Sequence, residues 1–87
     1  MVTKSVTVNT QVGLHARPAT FFIQKATEFK STIWIEKDER RVNAKSLLGV
    51  LSLGIVKGMD ITLIADGSDE VAAVEALANM VTADMAD

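Results

Sequence analysis

Alternation of apolar and polar positions opens the chain. Val2, Val6 and Val8 fall on one face and Thr3, Ser5 and Thr7 on the other, a period of two that predicts a strand. The period changes around the single proline, Pro18. Ala19, Phe22, Ile23 and Ala26 recur at i, i+3, i+4 and i+7, which predicts an amphipathic helix from about Ala16 to Phe29 or Lys30. Ser31–Lys37 returns to alternation, with Ile33 and Ile35 inward. Arg40–Asn43 reads as its short antiparallel partner. The turn between them, Asp38-Glu39, lacks the Asn-Gly or Asp-Gly that tight hairpins favour.

Ser46 then precedes a short apolar segment, Leu47–Leu53, closed by Gly54, the pattern of a brief capped helix. Gly58 marks a turn. Asp60–Ala65 predicts a last strand with Ile61 and Leu63 on one side. Ser68 or Asp69 caps a final helix from about Glu70, whose buried stripe is read as Val71, Val74, Leu77, Ala78 and Val81. Asp69 and Glu70 suit the positive end of that helix.

The order is strand, helix, strand, strand, helix, strand, helix. The long helices cannot cover both faces of so small a sheet and still bury themselves, so helices on one face of an antiparallel sheet is the natural arrangement. Right-handed crossovers put the last strand between the first and second. The expected fold is therefore α+β: an open-faced β-sandwich, a four-stranded antiparallel sheet in the order first, fourth, second, third, with three helices on one face. The other face meets water, matching its hydroxyl residues, and Trp34 is expected partly exposed there.

Composition narrows the chemistry. Eighty-seven residues make one domain, 1–87, with no repeat or linker. The absence of cysteine excludes a disulfide scaffold, a thiolate metal site and thiol catalysis, and a single histidine excludes a zinc site built from several imidazoles. No apolar run approaches the ~20 residues of a membrane span, and no signal pattern opens the chain. A cytoplasmic protein without membrane insertion, metal or cofactor is expected. Charge is polarised along the sequence. All nine basic residues lie between Lys4 and Lys57 against four acids, a net +5, and seven acids with no base follow, a net −7. Either the last helix has an acidic solvent face, or the basic portion receives an anion or an acidic partner.

The segment Gly13-Leu14-His15-Ala16-Arg17-Pro18-Ala19-Thr20 carries the chemistry. The helix start at about Ala16 sets His15 at or beside the N-cap, where the first amides lack internal acceptors and the dipole favours an anion. Arg17 in the first turn costs about 0.3–1 kcal/mol against that dipole, a cost that makes sense where an anion regularly sits. The same field disfavours the imidazolium and keeps His15 neutral and nucleophilic. Imidazole, free amides and a forked guanidinium together describe a phosphoryl acceptor. Taken alone, these residues more often mean a histidine that merely caps the helix with Arg17 solvated, and composition and spacing do not overturn that reading.

This segment closely resembles the active-site segment of the HPr family, the histidine-containing phosphocarriers of the bacterial phosphoenolpyruvate–sugar phosphotransferase system. A second block, Val42-Asn43-Ala44-Lys45-Ser46-Leu47-Leu48-Gly49-Val50-Leu51-Ser52-Leu53-Gly54-Ile55-Val56-Lys57-Gly58, resembles that family's regulatory segment. The resemblance implies a relay. Enzyme I passes a phosphoryl group to Nδ1 of His15, and His15 donates it to the EIIA domains of sugar permeases. Arg17 matches the family arginine that assists transfer, and Ala16 and Arg17 hold the phosphate. His15 sets aside the relatives that keep the fold without a phosphorylatable histidine.

Ser46 corresponds to the regulatory serine phosphorylated by HPr kinase/phosphorylase. Its bland reading is an N-cap worth about 1 kcal/mol, and the two roles are compatible. The modified form binds a transcriptional corepressor partner in families with this switch. Thr20, Leu47, Leu48 and Leu51 match partner-docking positions. Leu51 also reads as core, whereas Leu47 and Leu48 read as an exposed patch. Arg17, Lys45 and Lys25 are expected to form a positive rim around His15.

Two other classes compete with a stoichiometric carrier. One is a regulatory adaptor acting mainly through phospho-Ser46. The other is an RNA-binding module, which the sheet disfavours: Phe21, Phe22 and Phe29 fall on the first helix and only Trp34 on a strand. A monomer with protein partners and no nucleic acid is expected.

Overall fold

The computed structural model describes residues 1–9 and 16–82. Its elements are β1 (Val2–Thr7), α1 (Ala16–Thr27), β2 (Thr32–Lys37), β3 (Arg40–Asn43), α2 (Leu47–Ser52), β4 (Asp60–Asp66) and α3 (Glu70–Thr82). The strands form one antiparallel sheet in the order β1-β4-β2-β3, as expected from the sequence. The expected turn at Gly13, and His15 itself, lie outside the described residues.

Strand alternation decides what each face meets. Ile61, Leu63 and Ala65 of β4 and Ile33 and Ile35 of β2 point to one side, where Ala19, Phe22 and Ala26 of α1 and Val74, Leu77 and Val81 of α3 complete the buried core. The other face carries Thr3, Ser5 and Thr7. Two of their hydroxyls pair with β4: Ser5 with the Thr62 hydroxyl at 3.2 Å, and Thr7 donating to Asp60 at 2.6 Å. In the middle of that open face Thr3, Ile64, Trp34 and Asn43 lie side by side across the four strands. Ile64 is buried there, and Trp34, half-exposed as expected, lies beneath the Arg41 guanidinium at 5.9 Å, within cation–π range.

Two local readings change, and the turn between β2 and β3 gains its geometry. Helix α1 ends at Thr27 rather than Phe29, because its chain tightens into i→i+3 bonds, Glu28 N–H to Lys25 O at 3.1 Å and Phe29 N–H to Ala26 O at 3.2 Å. Val71, expected on the buried stripe of α3, is 59% exposed, and Ala73 is buried instead. The first turn of α3 stands at the rim, where Glu70 pairs with the amino-terminal ammonium at 3.1 Å. The Asp38-Glu39 turn holds both residues at positive φ, 51° and 70°, the backbone of a type I′ hairpin turn without its usual Asn or Gly.

Candidate functional site

Two segments carry the candidate residues, and α1 packs against α2. Ala16 is the first residue of α1 and Arg17 the second, so His15 immediately precedes the helix in sequence, as the proline and the apolar period imply. Thr20, one turn on, is exposed.

The Ser46 segment is described in full. Asn43 builds the approach: its side-chain oxygen accepts the Lys45 amide at 2.8 Å and its carbonyl accepts the Ser46 amide at 3.0 Å, the self-bonded turn that asparagine favours. Ser46 leaves that turn with extended φ −106° and ψ 117°, as an N-cap must, and its hydroxyl oxygen accepts the Gly49 N–H at 3.2 Å. Its carbonyl accepts the Val50 amide at 2.9 Å, starting the helix. Ser46 is only half-buried. Its hydroxyl is thus held by one long bond at the surface.

Leu48 is 81% exposed and Leu47 43%, the solvent-facing pair that the resemblance implies. Leu51 is half-buried and packs against the core, so its structural reading prevails for much of its side chain. Below them, α2 has no basic residue in its own last turn. The β2–β3 hairpin supplies two: Lys37 Nζ donates to Leu53 O at 3.1 Å, and Arg40 reaches Ser52 O at 3.1 Å and Ser52 Oγ at 3.2 Å. Cations at a helix C-terminus complement its dipole.

Two of the lysines expected around His15 have partners of their own among the described residues. The Lys45 ammonium donates to Phe29 O at 2.8 Å and Ser31 O at 2.9 Å, so its charge closes the end of α1. Lys25 forms an exposed pair with Glu28 at 3.3 Å. Ser31 in turn belongs to a second network. It is buried, and its amide and hydroxyl both reach the Asp69 carboxylate, which also accepts the Lys30 amide at 2.8 Å. These donors, the Ser31 hydroxyl foremost, hold the Asp69 carboxyl below the ordinary aspartate value. Glu70 is likewise lowered, first by the Gly67 amide and then by the amino terminus. Sequence reasoning singles out neither Asn43 nor Ser31 for these roles. Asn43 has a usable signal, an asparagine at the foot of a predicted helix. Ser31 has none.

No group of three His, Asp or Glu among the described residues could hold a metal ion, and no helix among them is long and apolar enough to cross a membrane. The family model for the phosphotransferase-system HPr component phosphorylation site matches residues 2–83. The chain belongs to the HPr family. The HPr-like protein Crh of Halalkalibacterium halodurans is 54% identical over 77 residues, covering 88% of this chain and 92% of its own. The crystal structure of the HPr of Bacillus anthracis superposes with a TM-score of 0.90 at 50% identity, covering 92% of this chain and 95% of its own. Crh of Bacillus subtilis, a catabolite repression protein seen as a swapped, intertwined dimer, gives 0.75 at 48% identity over 93% of each chain. HPr and Crh both stand among the relatives, so likeness assigns the family and the fold rather than the branch. Family membership also does not imply the expected monomer.

Proposed function

We propose that the chain is a cytoplasmic phosphocarrier. Phospho-Enzyme I transfers its phosphoryl group to Nδ1 of His15: the N–P bond forms as the bond to Enzyme I breaks. The phosphohistidine then passes the group to an EIIA domain of a sugar permease. One observation carries this reading: a histidine immediately ahead of α1, followed by Arg17 at the helix's second residue, in a member of the HPr family. The first amides of α1 and the Arg17 fork supply the donors a phosphate needs. A phosphoramidate keeps the transfer potential that a serine ester would lose. Leu47, Leu48 and Thr20 offer partners an exposed surface over which to dock.

The test is incubation with Enzyme I and phosphoenolpyruvate. One acid-labile phosphate per chain is expected, and none on His15→Ala. An acid-labile phosphate that persists in His15→Ala overturns the assignment.

A second role is favoured by the lightly held, half-exposed hydroxyl of Ser46 and by the Crh relatives. In it, HPr kinase/phosphorylase transfers the γ-phosphoryl group of ATP to Ser46, and the product binds a transcriptional corepressor partner. An acid-stable phosphate lost in Ser46→Ala is the expected result. Phosphate appearing elsewhere removes this role and leaves the carrier reading intact.

A further inference from the structure

Gly49 stands inside α2, a helix of only six residues, where glycine is among the least favourable choices. Backbone conformation does not require it. Gly54 and Gly58 hold positive φ of 61° and 96°, while Gly49 is an ordinary helical residue. What distinguishes position 49 is the space beside it. A Cβ there would stand 3.2 Å from Val42 Cβ, 3.3 Å from Ser46 Oγ and 3.4 Å from Ser46 Cβ. Two of those three atoms belong to the serine that the second role would phosphorylate. The Gly49 N–H is also the group that bonds the Ser46 hydroxyl.

We propose that Gly49 is a positioning residue for phosphorylation of Ser46: its missing side chain leaves the serine oxygen the room to change rotamer and accept a phosphoryl group. The proposal rests on the Ser46 reading above. In the step, the Ser46 oxygen bonds the γ-phosphorus of ATP as the bond to the ADP oxygen breaks, and the hydroxyl proton passes to a base of the kinase. The oxygen must release or bend its bond to the Gly49 amide while three phosphoryl oxygens gather round it. A methyl at position 49 sits in contact with that oxygen before anything is added. Val42 Cβ of β3, 3.2 Å from the same methyl, crowds it as well. Contacts in the 3.2–3.4 Å range require shifts of only a few tenths of an ångström, and alanine is the better helix former, so Gly49→Ala is expected to fold. The penalty falls on the reacting atom.

The test compares wild type and Gly49→Ala as substrates of a purified HPr kinase/phosphorylase with ATP, with melting curves alongside. A kcat lowered about tenfold with KM within about twofold is expected, the pattern of an interaction felt mainly at the transition state. Unchanged kcat, or a rise in KM alone, overturns the proposal. A second measurement needs no kinase. The chain has no cysteine, so Ser46→Cys carries a single thiol. Its alkylation by iodoacetamide is expected to slow several-fold when Gly49→Ala is added, and equal rates overturn the steric premise. Wild type that gains no phosphate on Ser46 while the thiol rates still differ removes the Ser46 reading, and with it the role of Gly49 in phosphorylation. Wild type that is phosphorylated only as readily as Gly49→Ala removes the positioning role alone.

Discussion

Ser46 and Asp69 stand at the amino-terminal ends of α2 and α3, and their oxygens are committed in different ways. The carbonyl of each accepts the amide four residues on, Val50 and Ala73, at 2.9 Å. The side chain of Ser46 stays local and accepts one 3.2 Å bond from Gly49. The side chain of Asp69 reaches across to the α1–β2 connection, where it gathers the amides of Lys30 and Ser31 and the Ser31 hydroxyl. Ser31 is buried and Ser46 half-exposed. An unsatisfied buried donor is costly, whereas one at the surface turns to water. A helix start can therefore lock two loops together or leave a hydroxyl within reach of water. In this domain the two tasks fall to different helices.

The contrast is broken most directly at Gly67. A Cβ there would lie 2.5 Å from Ser31 Oγ and 2.7 Å from Ser31 Cα. The second of these is backbone and cannot swing aside. Gly67→Ala must therefore part the loops that Asp69 joins, at a cost of about 1–3 kcal/mol, and for a domain of this size each kcal/mol lowers the melting temperature by roughly 4–8 °C. An unchanged melting temperature would show the loops to be loosely joined.

Acid provides the next test. The Asp69 carboxyl is lowered in the folded state, chiefly by the Ser31 hydroxyl. Its contribution is thus fully present above the unfolded-state value and fades as pH falls toward the folded one. Wild-type stability should decline on acidification through the carboxylate range. Asp69→Asn should start lower at neutral pH and decline less steeply. Some slope must remain, since Glu70 is lowered in the same sense. Parallel pH–stability curves for the two proteins would contradict this assignment.

At the start of α2, Ser46→Ala removes a cap that ordinarily contributes about 1 kcal/mol, with a range of roughly 0.5–2. A single long bond at the surface places it in the lower half of that range. No carboxylate is involved, so its pH–stability curve should run parallel to wild type. Urea denaturation at neutral and at acid pH measures both. A steeper or flatter acid slope would mean that α2 and the Asp69 network are coupled.

These helix starts differ in how far they are legible in the amino-acid order. Strand order, the layering and the start of α1 follow from periods of two and 3.6 and from Pro18. Those are local signals tied to one global solution, helices on one face. Ser46 and Asp69 are both recognisable as helix starts. Their divergence is not, because it depends on which loops the fold brings together, and Ser31 and Asp69 are 38 positions apart. Lys45 shows the same limit. It reads in the sequence as part of a positive rim around His15, and in the structure its four-carbon stem carries the ammonium to the carbonyls of Phe29 and Ser31. Val71 misleads for another reason: the helical period continues into a turn that lies beyond the core. His15 is legible through its neighbours, with the family resemblance adding what spacing alone leaves open.

The smallest effect concerns the far end of α2. That end is held from outside, by Lys37 and Arg40 of the β2–β3 hairpin on the carbonyls of Leu53 and Ser52. The hairpin turn places Asp38 and Glu39 at φ 51° and 70°. A residue with a Cβ loses about 1–2 kcal/mol in that region, less for Asp than for Glu. Glu39→Gly removes the larger penalty and leaves Asp-Gly, a preferred pair for this turn. Part of the gain is offset because glycine widens the unfolded ensemble by about 0.4–1 kcal/mol. A net stabilisation of a few tenths to about 1 kcal/mol is expected from chemical denaturation. Amide exchange at Leu53 and Gly54, whose N–H groups bond back to Val50 and Leu51, should slow with it, because the turn that aims Lys37 and Arg40 is then better formed. A destabilised variant would mean that Glu39 makes a contribution larger than its strain. A stabilised hairpin with unchanged exchange at those two amides would mean that α2 holds its own C-terminus, leaving Ser46 and Gly49 on a helix independent of the sheet edge.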